Sequence, residues 1–448
     1  MLNALALAEH KVPRYTSYPT APHFSAAVGP ETYEAWLAAL PAAATLSLYI
    51  HVPYCAQLCL YCGCHTKMVR RPEPLRAYAE KLAGEIALLA RHLGGRKILH
   101  IHWGGGTPSI LGPAALIDLT ARLRERFDFS QVREHAIELD PRRVDRALAQ
   151  ALAQIGFNRV SLGVQDFTPQ VQEAIGRVQP FETVSRAVGM LREVGIPSMN
   201  FDLMYGLPRQ SAHDVRESAR AAATLQPRRI ALFGYAHVPW LKPHQRLIDA
   251  AALPGAGERL DQAEAARAML LALGYQAIGL DHFALPDDDL AVAARAGRLR
   301  RNFQGYTTDG ADALIGLGAS AIGRLPQGFV QNTPAIRAYS AAINAGRPAT
   351  ARGIALSEED RIHGRIIERI LCDFEVDLDA IAGEVKGSSR GRFEPELEAL
   401  ALLQRQGLVE REAQRIRVTG QGQPFVRVVA AAFDVYLREG KARHSLAV

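Results

Sequence analysis

Leu46-Ser47-Leu48-Tyr49-Ile50-His51-Val52 and the loop after it, Cys55-Ala56-Gln57-Leu58-Cys59-Leu60-Tyr61-Cys62-Gly63-Cys64, decide how this chain is read. The first run is apolar and β-prone and closes at Pro53, which predicts a strand. The loop holds four of the chain's five cysteines, spaced C-x3-C-x2-C and then x-C. Three thiolates that close together can hold three corners of an iron–sulfur cube and leave its fourth iron open. An open coordination position separates a catalytic metal site from a closed structural one. A zinc site would pair C-x2-C with a second such pair or with H-x3-5-H. Neither spacing follows, Cys372 stands alone, and His65 lies too close to Cys64 for an ordinary finger. Nothing marks the chain as secreted, which disfavours a disulfide cluster. A four-cysteine electron carrier remains open if Cys64 ligates.

Working outward, strands are predicted at 46–52, 98–103, 136–139, 159–164, 199–204 and 229–235. Apolar residues at helical spacing fill the intervals at 74–93, 113–127, 144–154, 181–194 and 212–225. Six strands alternating with helices specify parallel βαβ units, here an α/β fold built as a partial (β/α)6 TIM-like barrel. Working residues in such barrels gather at the C-terminal strand ends. The cysteine loop, Gly104–Thr107, Glu138 with Asp140, Gln165 with Asp166, Asp202, and Tyr235-Ala236-His237 all fall there. Gly104-Gly105-Gly106-Thr107 is neither a Walker loop nor G-x-G-x-x-G. It reads either as a backbone offering N–H groups to a ligand or as a tight turn. Glu138 reads as a ligand for a hydroxyl or ammonium group, or as half of a buried ion pair. His51, His102, His237 and His282 flank strand ends, and spacing alone makes none of them a base.

The chain has 448 residues, 48% hydrophobic and 22% charged, with net charge +6. That composition is ordinary for a globular protein. The charge is too small to argue for nucleic acid and suits an anionic small substrate. No apolar run is long enough for a transmembrane helix, and the apolar opening at 1–8 lacks the basic start of a signal peptide. Cysteines concentrated in one motif imply a reducing cytoplasm.

Residues 1–30 form an arm. Pro13-Arg14-Tyr15-Thr16-Ser17-Tyr18-Pro19 is proline-stiffened without helical period, and by composition it reads as a loose terminus. The barrel with its extension is expected over 31–350. It includes a linker at 251–255, a helix at 257–273, a solvated turn at 286–289 and a polar aromatic loop at 301–308. The small-residue stretch 316–322 could bring backbone close to a ligand. A mainly helical, winged-helix-like domain is expected over 351–448. It opens on an N-cap at Ser357 with Asp360 and a helical face of Ile362, Ile366, Ile367, Ile370 and Leu371. Cys372 reads as a small buried residue. A loop at 386–392, a helix at 394–406, strands at 408–410 and 415–419 and a helix at 424–438 complete it. A capping role over the barrel mouth fits this domain better than DNA binding.

These motifs carry a resemblance. The three-cysteine loop with Tyr61 before its third cysteine resembles the radical S-adenosylmethionine superfamily. Within it, the whole chain resembles the oxygen-independent coproporphyrinogen III oxidases, also called dehydrogenases. Residues 13–21, Cys64, His102–Pro108, Gly163–Phe167, Asp202–Pro208, Gly279–Phe283 and Arg301–Thr308 carry the match.

The resemblance implies a [4Fe–4S] cluster on Cys55, Cys59 and Cys62 with one open iron, and two S-adenosylmethionine molecules. Tyr49, Gly105, Glu138 and Ile322 match the contacts of the first molecule. Tyr61, Gly106, Thr107, Gln165, Arg177, Asp202 and Ala236 match those of the second. Cys64 matches the family's non-ligand cysteine near the substrate and is assigned a catalytic role. Arg14, Tyr15 and Phe303 are assigned to the substrate, with the arm covering it. The implied reaction converts two propionates of coproporphyrinogen III to vinyl groups, giving protoporphyrinogen IX in haem biosynthesis, through a 5′-deoxyadenosyl radical. A reduced flavodoxin- or ferredoxin-type donor, an unidentified electron acceptor, a cytoplasmic monomer and no nucleic-acid or membrane partner complete the expectation. The rival is a related chaperone that binds and transfers haem without decarboxylation. His65 and Thr66 stand where relatives often have Asn and Lys, and the resemblance assigns neither a cofactor contact.

Overall fold

The computed structural model describes residues 4–384 and 391–437. Six parallel strands stand side by side in chain order: Leu46–Val52, Ile98–Gly105, Glu134–Leu139, Arg159–Gln165, Ser198–Tyr205 and Arg229–Gly234. Each boundary lies within two residues of its expected place. Helices Glu73–Leu93, Pro113–Arg126, Arg146–Ile155, Phe181–Glu193 and Ala212–Thr224 connect them. This is the partial barrel the alternation predicted.

The period of two along each strand sorts the side chains. Leu46, Leu48, Ile50, Val160, Leu162, Met199, Phe201 and Leu203 are at most 1% exposed and belong to one core cluster that also takes in helix residues such as Leu82 and Leu191. The alternate positions are polar. Glu134, Glu138, Arg159, Ser161, Gln165, Asn200, Asp202 and Arg229 line an interior cavity. The polar working face thus runs the length of the strands and is not confined to their C-terminal ends.

The sheet is larger than six strands. Ala313–Leu317 adds a seventh parallel strand beside the first, followed by antiparallel Ile322–Leu325, Gly328–Asn332 and Thr350–Ala355. On the other edge His282–Ala284 and Gln276–Ile278 pair antiparallel. The boundary expected at 351 therefore falls inside a strand of this sheet. The stretch 316–322 does bring backbones close, but to protein. A Cβ at Gly318 would lie 2.4 Å from the His51 carbonyl oxygen, and one at Gly316 2.8 Å from the Ile322 carbonyl carbon.

The turn at 286–289 is not solvated throughout. Asp288 is 1% exposed, caps its helix and meets Arg229 at 2.7 Å. At the barrel floor Glu134 pairs with Arg159 at 2.7 Å and with Arg229 at 3.4 Å. Burial opposes the Glu134 charge, but these guanidinium groups outweigh it and hold the carboxyl at about 2.

The C-terminal unit opens on helix Glu358–Asp373, whose Ser357–Asp360 capping box is formed. The five apolar positions of its expected face are all buried, as is Cys372. Helix Glu394–Arg405 and strands Val409–Glu412 and Arg415–Val418 follow, joined by the unanticipated strand Glu375–Asp377 in a three-stranded antiparallel sheet. The loop expected at 386–392 lies mostly outside the described residues. The long last helix is short: Val426–Ala431 follows a 3-10 turn and ends in further turns, with 438–448 outside the described residues.

The arm is ordered by this unit. Leu7, Val12, Tyr15 and Tyr18 share a core with Ile362, Ile366, Val429 and Phe433. Arg427 donates to the carbonyls of Val12 and Pro13. Among the described residues no helix is long and apolar enough to cross a membrane.

Candidate functional site

A cavity of about 790 Å³ fills the barrel interior and opens beside the cysteine loop. Cys55, Cys59, Cys62 and Cys64 all line it. So do Arg14, Tyr61, Gly105, Gly106, Thr107, Glu138, Gln165, Arg177, Asp202 and Ala236. Tyr49 and Ile322 do not. Tyr49 hydrogen-bonds His51 Nδ1 at 3.0 Å and stacks on His102, while Ile322 begins an edge-side strand. Tyr15 and Phe303 line a separate cavity.

The cysteine loop is held by its own carbonyls and by its neighbours. Lys242 Nζ donates to Cys64 O at 2.9 Å, His244 Nε2 to Cys62 O at 2.8 Å, and Gln245 Nε2 to Tyr61 O at 2.9 Å. All three side chains come from the turn after the sixth strand. Residues that bind carbonyls have no sequence signature, so this strap could not be read from the chain. On the opposite side Leu60 N donates to Ile175 O at 3.0 Å.

The sulfurs have their own donors. Thr66 Oγ1 lies 3.2 Å and Thr107 Oγ1 3.4 Å from Cys55 Sγ. Thr66 therefore reaches the sulfur of a proposed cluster ligand, although the resemblance gave it no such contact. Arg177 Nη1 lies 3.4 Å from Cys59 Sγ, and its Nη2 donates to Gly163 O at 2.7 Å and approaches Asp140 at 3.5 Å. It is 7% exposed, a buried arginine. Burial works against its charge, but Tyr61, Asp140 and Cys59 together outweigh that and raise its pKa. The Cys64 thiol hydrogen-bonds Cys62, which brings Cys62 down to about 7 and pushes Cys64 up.

The glycine turn is a packing device. Gly105 has φ 111°, and a Cβ there would lie 2.6 Å from the His51 ring, a conformation and contact only glycine tolerates. A Cβ at Gly106 would lie 2.5 Å from Thr66 Oγ1 and from Tyr54 O. The N–H groups here are spent inside the protein: Gly105 on Glu138 Oε2 at 3.1 Å, Gly106 on Val52 O at 2.9 Å and Thr107 on Tyr54 O at 2.8 Å. Glu138 also meets His102 Nε2 at 3.2 Å, so its second role is a neighbour's hydrogen bond. Asp202 accepts from Ser161 at 3.0 Å and Asn200 at 2.8 Å; burial, then the Glu138 charge, lifts it to about 6. His51 is pushed down to about 4 by burial, so it is neutral at pH 7.

The donor set fits an iron–sulfur cluster. Cysteines are the only metal-ligating type the loop contributes to the cavity, and hydroxyl and guanidinium donors flank two of their sulfurs, as cluster thiolates require for charge compensation. Among the described residues no three His, Cys, Asp or Glu side chains gather as tightly as a single ion needs. The polar interior, with carboxylates, amides and hydroxyls beside an apolar wall, has the volume and mixed lining of a small-molecule site.

Comparison with known proteins agrees. Residues 49–222 match the model of the Radical SAM superfamily, and residues 356–425 match the HemN C-terminal domain. The oxygen-independent coproporphyrinogen III oxidase of Bradyrhizobium diazoefficiens is 49% identical over 99% of both chains. That of Escherichia coli is 40% identical over 96% of this chain and 94% of its own. A solved structure described as coproporphyrinogen III oxidase (HemN) from Escherichia coli, a radical SAM enzyme, superimposes with TM-score 0.90 at 38% identity, covering 95% of this chain and 100% of that one. The chain belongs to the oxygen-independent coproporphyrinogen III oxidase family, oxidoreductases of the radical SAM superfamily.

Proposed function

We propose that this chain converts two propionate side chains of coproporphyrinogen III to vinyl groups without oxygen, giving protoporphyrinogen IX. The observation that carries this reading is that the three-cysteine loop, Cys64 and Arg14 of the arm all face one interior cavity. Cys55, Cys59 and Cys62 would hold a [4Fe–4S] cluster with one iron open. When bound, the cluster and S-adenosylmethionine supply a one-electron cleavage that yields a 5′-deoxyadenosyl radical able to remove a propionate β-hydrogen.

The chain's own residues hold and shield. Tyr49, Gly105, Glu138 and Ile322 are assigned to the first S-adenosylmethionine. Tyr61, Gly106, Thr107, Gln165, Arg177, Asp202 and Ala236 are assigned to the second. All but Tyr49 and Ile322 line the cavity, which supports the assignment. Arg177 keeps its charge beside Cys59 and orients the loop through the Gly163 carbonyl. Cys64 serves the substrate side, where its surface faces the cavity. Arg14, whose Nη2 donates to Gly234 O at 2.6 Å, closes the mouth above the sixth strand and excludes water. We assign the arm to 1–30, the catalytic barrel to the residues from 31 through strand Thr350–Ala355, and the cap to the residues after that strand. The enzyme acts as a cytoplasmic monomer served by a reduced flavodoxin- or ferredoxin-type donor.

The test is anaerobic turnover of reconstituted protein with reductant, S-adenosylmethionine, coproporphyrinogen III and cell extract as acceptor source. Protoporphyrin and 5′-deoxyadenosine together are expected. Deoxyadenosine alone would point to another substrate, and neither product with tight haem binding would move the reading to a haem chaperone.

A further inference from the structure

A second cavity, of about 200 Å³, lies on the other side of the arm. The wall between the two is thin: Arg14 lines the large cavity and Tyr15 the small one. Arg301, which lines the small cavity, donates from Nη2 to Arg14 O at 3.2 Å.

Five arginines from three elements converge on this small space: Arg300 and Arg301 from strand Arg300–Asn302, which pairs antiparallel with Gly305–Thr307, Arg324 from strand Ile322–Leu325, and Arg361 and Arg365 from helix Glu358–Asp373. Three carboxylates face them, and two of these are committed. Asp312 accepts from Thr45 N and Oγ1, both at 2.8 Å. Asp360 caps its own helix and accepts from Tyr436 at 2.9 Å. That leaves Glu368, which serves Arg365 at 2.8 Å and Arg300 at 3.4 Å. Glu368 also accepts from the Arg301 backbone N–H at 3.3 Å, while the Arg301 guanidinium finds its nearest carboxylate, Asp281, only at 3.9 Å. Arg361 donates to the carbonyls of Pro326 and Leu356. The Arg324 guanidinium makes no hydrogen bond or ion pair among the described residues, while its backbone is paired within the sheet. Its planar fork of donors, matched in geometry to a carboxylate, is unspent.

The rest of the lining sets an apolar wall beside the polar side chains of Thr16, Ser17 and Asn302. Phe303 and Phe329 meet edge to face at 6.1 Å between ring centroids, with Leu325 and Ile367 also in the wall. An arginine cluster beside aromatic and aliphatic surface suits a carboxylate on a hydrocarbon stem better than a free inorganic anion. The volume falls below the roughly 300–1,000 Å³ of sites that enclose a whole ligand, so the cavity takes one arm of a larger molecule.

We infer that this cavity is a second carboxylate site, receiving a non-reacting propionate of the porphyrinogen whose reacting propionate enters the large cavity, with Arg324 as its principal contact. The inference rests on the substrate reading above. It assigns Phe303 to the propionate stem and makes the arm a partition between two arms of one substrate. Arg324 acts here in binding and is separate from the cysteine loop.

The experiment measures binding of coproporphyrin III, the oxidised and unreactive tetracarboxylate, to reconstituted enzyme loaded with S-adenosylmethionine. The parent is compared with Arg324→Ala and Arg324→Lys, and inorganic phosphate is titrated as a competitor. A weakening of about tenfold is expected for Arg324→Ala, the loss of one charge-assisted pair. Arg324→Lys should fall between, and KM for coproporphyrinogen III should rise in step. Arg324 is exposed and its guanidinium bonds to nothing among the described residues, so unchanged thermal unfolding should show that the fold is intact. Parent-like affinity in Arg324→Ala overturns the inference. So does phosphate binding that depends on Arg324 while porphyrin binding does not, which would mark a free-anion site. Failure of the parent to bind the tetracarboxylate would instead bring down the substrate reading itself.

Discussion

The Thr66 hydroxyl lies 3.2 Å from the Cys55 sulfur, and Thr107 approaches the same atom at 3.4 Å. Two hydroxyl donors on one thiolate favour the reduced, more negative state of a cluster bound there, because hydrogen bonds to the sulfurs set cluster potentials. A bond worth about 1 kcal/mol more in the reduced state corresponds to about 40 mV for one electron. Thr66→Val keeps the shape and removes the donor. Its midpoint potential, from an EPR-monitored redox titration, should fall by about that amount. An unchanged potential would mean the hydroxyl turns away once the cluster is present.

Cys59→Ala should lose iron, sulfide and activity together, measured by metal analysis of anaerobically purified protein. Cys64→Ser should retain the cluster and S-adenosylmethionine binding and lose or slow decarboxylation. Loss of iron from Cys64→Ser as well would make Cys64 a ligand.

Glu85, which does not line the cavity, sets a pH dependence of stability. It is 2% exposed and accepts from Gly318 N at 2.6 Å, Asn332 Nδ2 at 2.7 Å and Tyr339 OH at 2.8 Å. Burial raises its carboxyl from 4.5 to about 7 despite these donors. A carboxyl raised on folding favours the folded state below its unfolded pKa, and that contribution is lost as pH climbs through the folded value. The loss amounts to as much as about 3 kcal/mol between pH 4.5 and 8. In urea unfolding, the parent should weaken relative to Glu85→Gln as pH rises from 5 to 8. Parallel pH profiles would show that Glu85 does not titrate in this range.

Tyr15 ties the arm to the C-terminal unit through its hydroxyl, 3.0 Å from Asp434, which is 2% exposed. Tyr15→Phe leaves that carboxylate short of one donor and should cost about 1–3 kcal/mol, seen first as faster proteolysis at the arm. If proteolysis is unchanged, the apolar contacts of Leu7, Val12 and Tyr18 suffice to hold it.

The six parallel strands were legible because each is a short β-prone run bounded by turn residues. The cysteine loop was legible because its ligands are adjacent in sequence. What escaped depends on distant partners. For Arg177, in a loop with no period, the resemblance supplied the residue, and what escaped were the partners that hold it, the Gly163 carbonyl and the Cys59 sulfur. Lys242, His244 and Gln245 bind carbonyls, which every residue possesses. Asp288 looked solvated among three acids, yet Arg229 from the sixth strand buries it. Thr350–Ala355 was assigned to the next domain because an edge strand of mixed polarity carries no signal until its neighbour, Gly328–Asn332, is known.

The arm's place in the fold also orders events in time. Residues 7–18 are made before the barrel, yet the surface that receives them includes Val429 and Phe433, which are made near the end. Domains fold as they emerge from the N-terminal side, so the barrel and its cysteine loop can form while the arm still has nothing to dock on. Arg14 reaches the cavity mouth only after helix Val426–Ala431 exists. A newly made chain therefore passes through a stage in which the loop is shaped but uncovered, the interval best suited to loading metal into it.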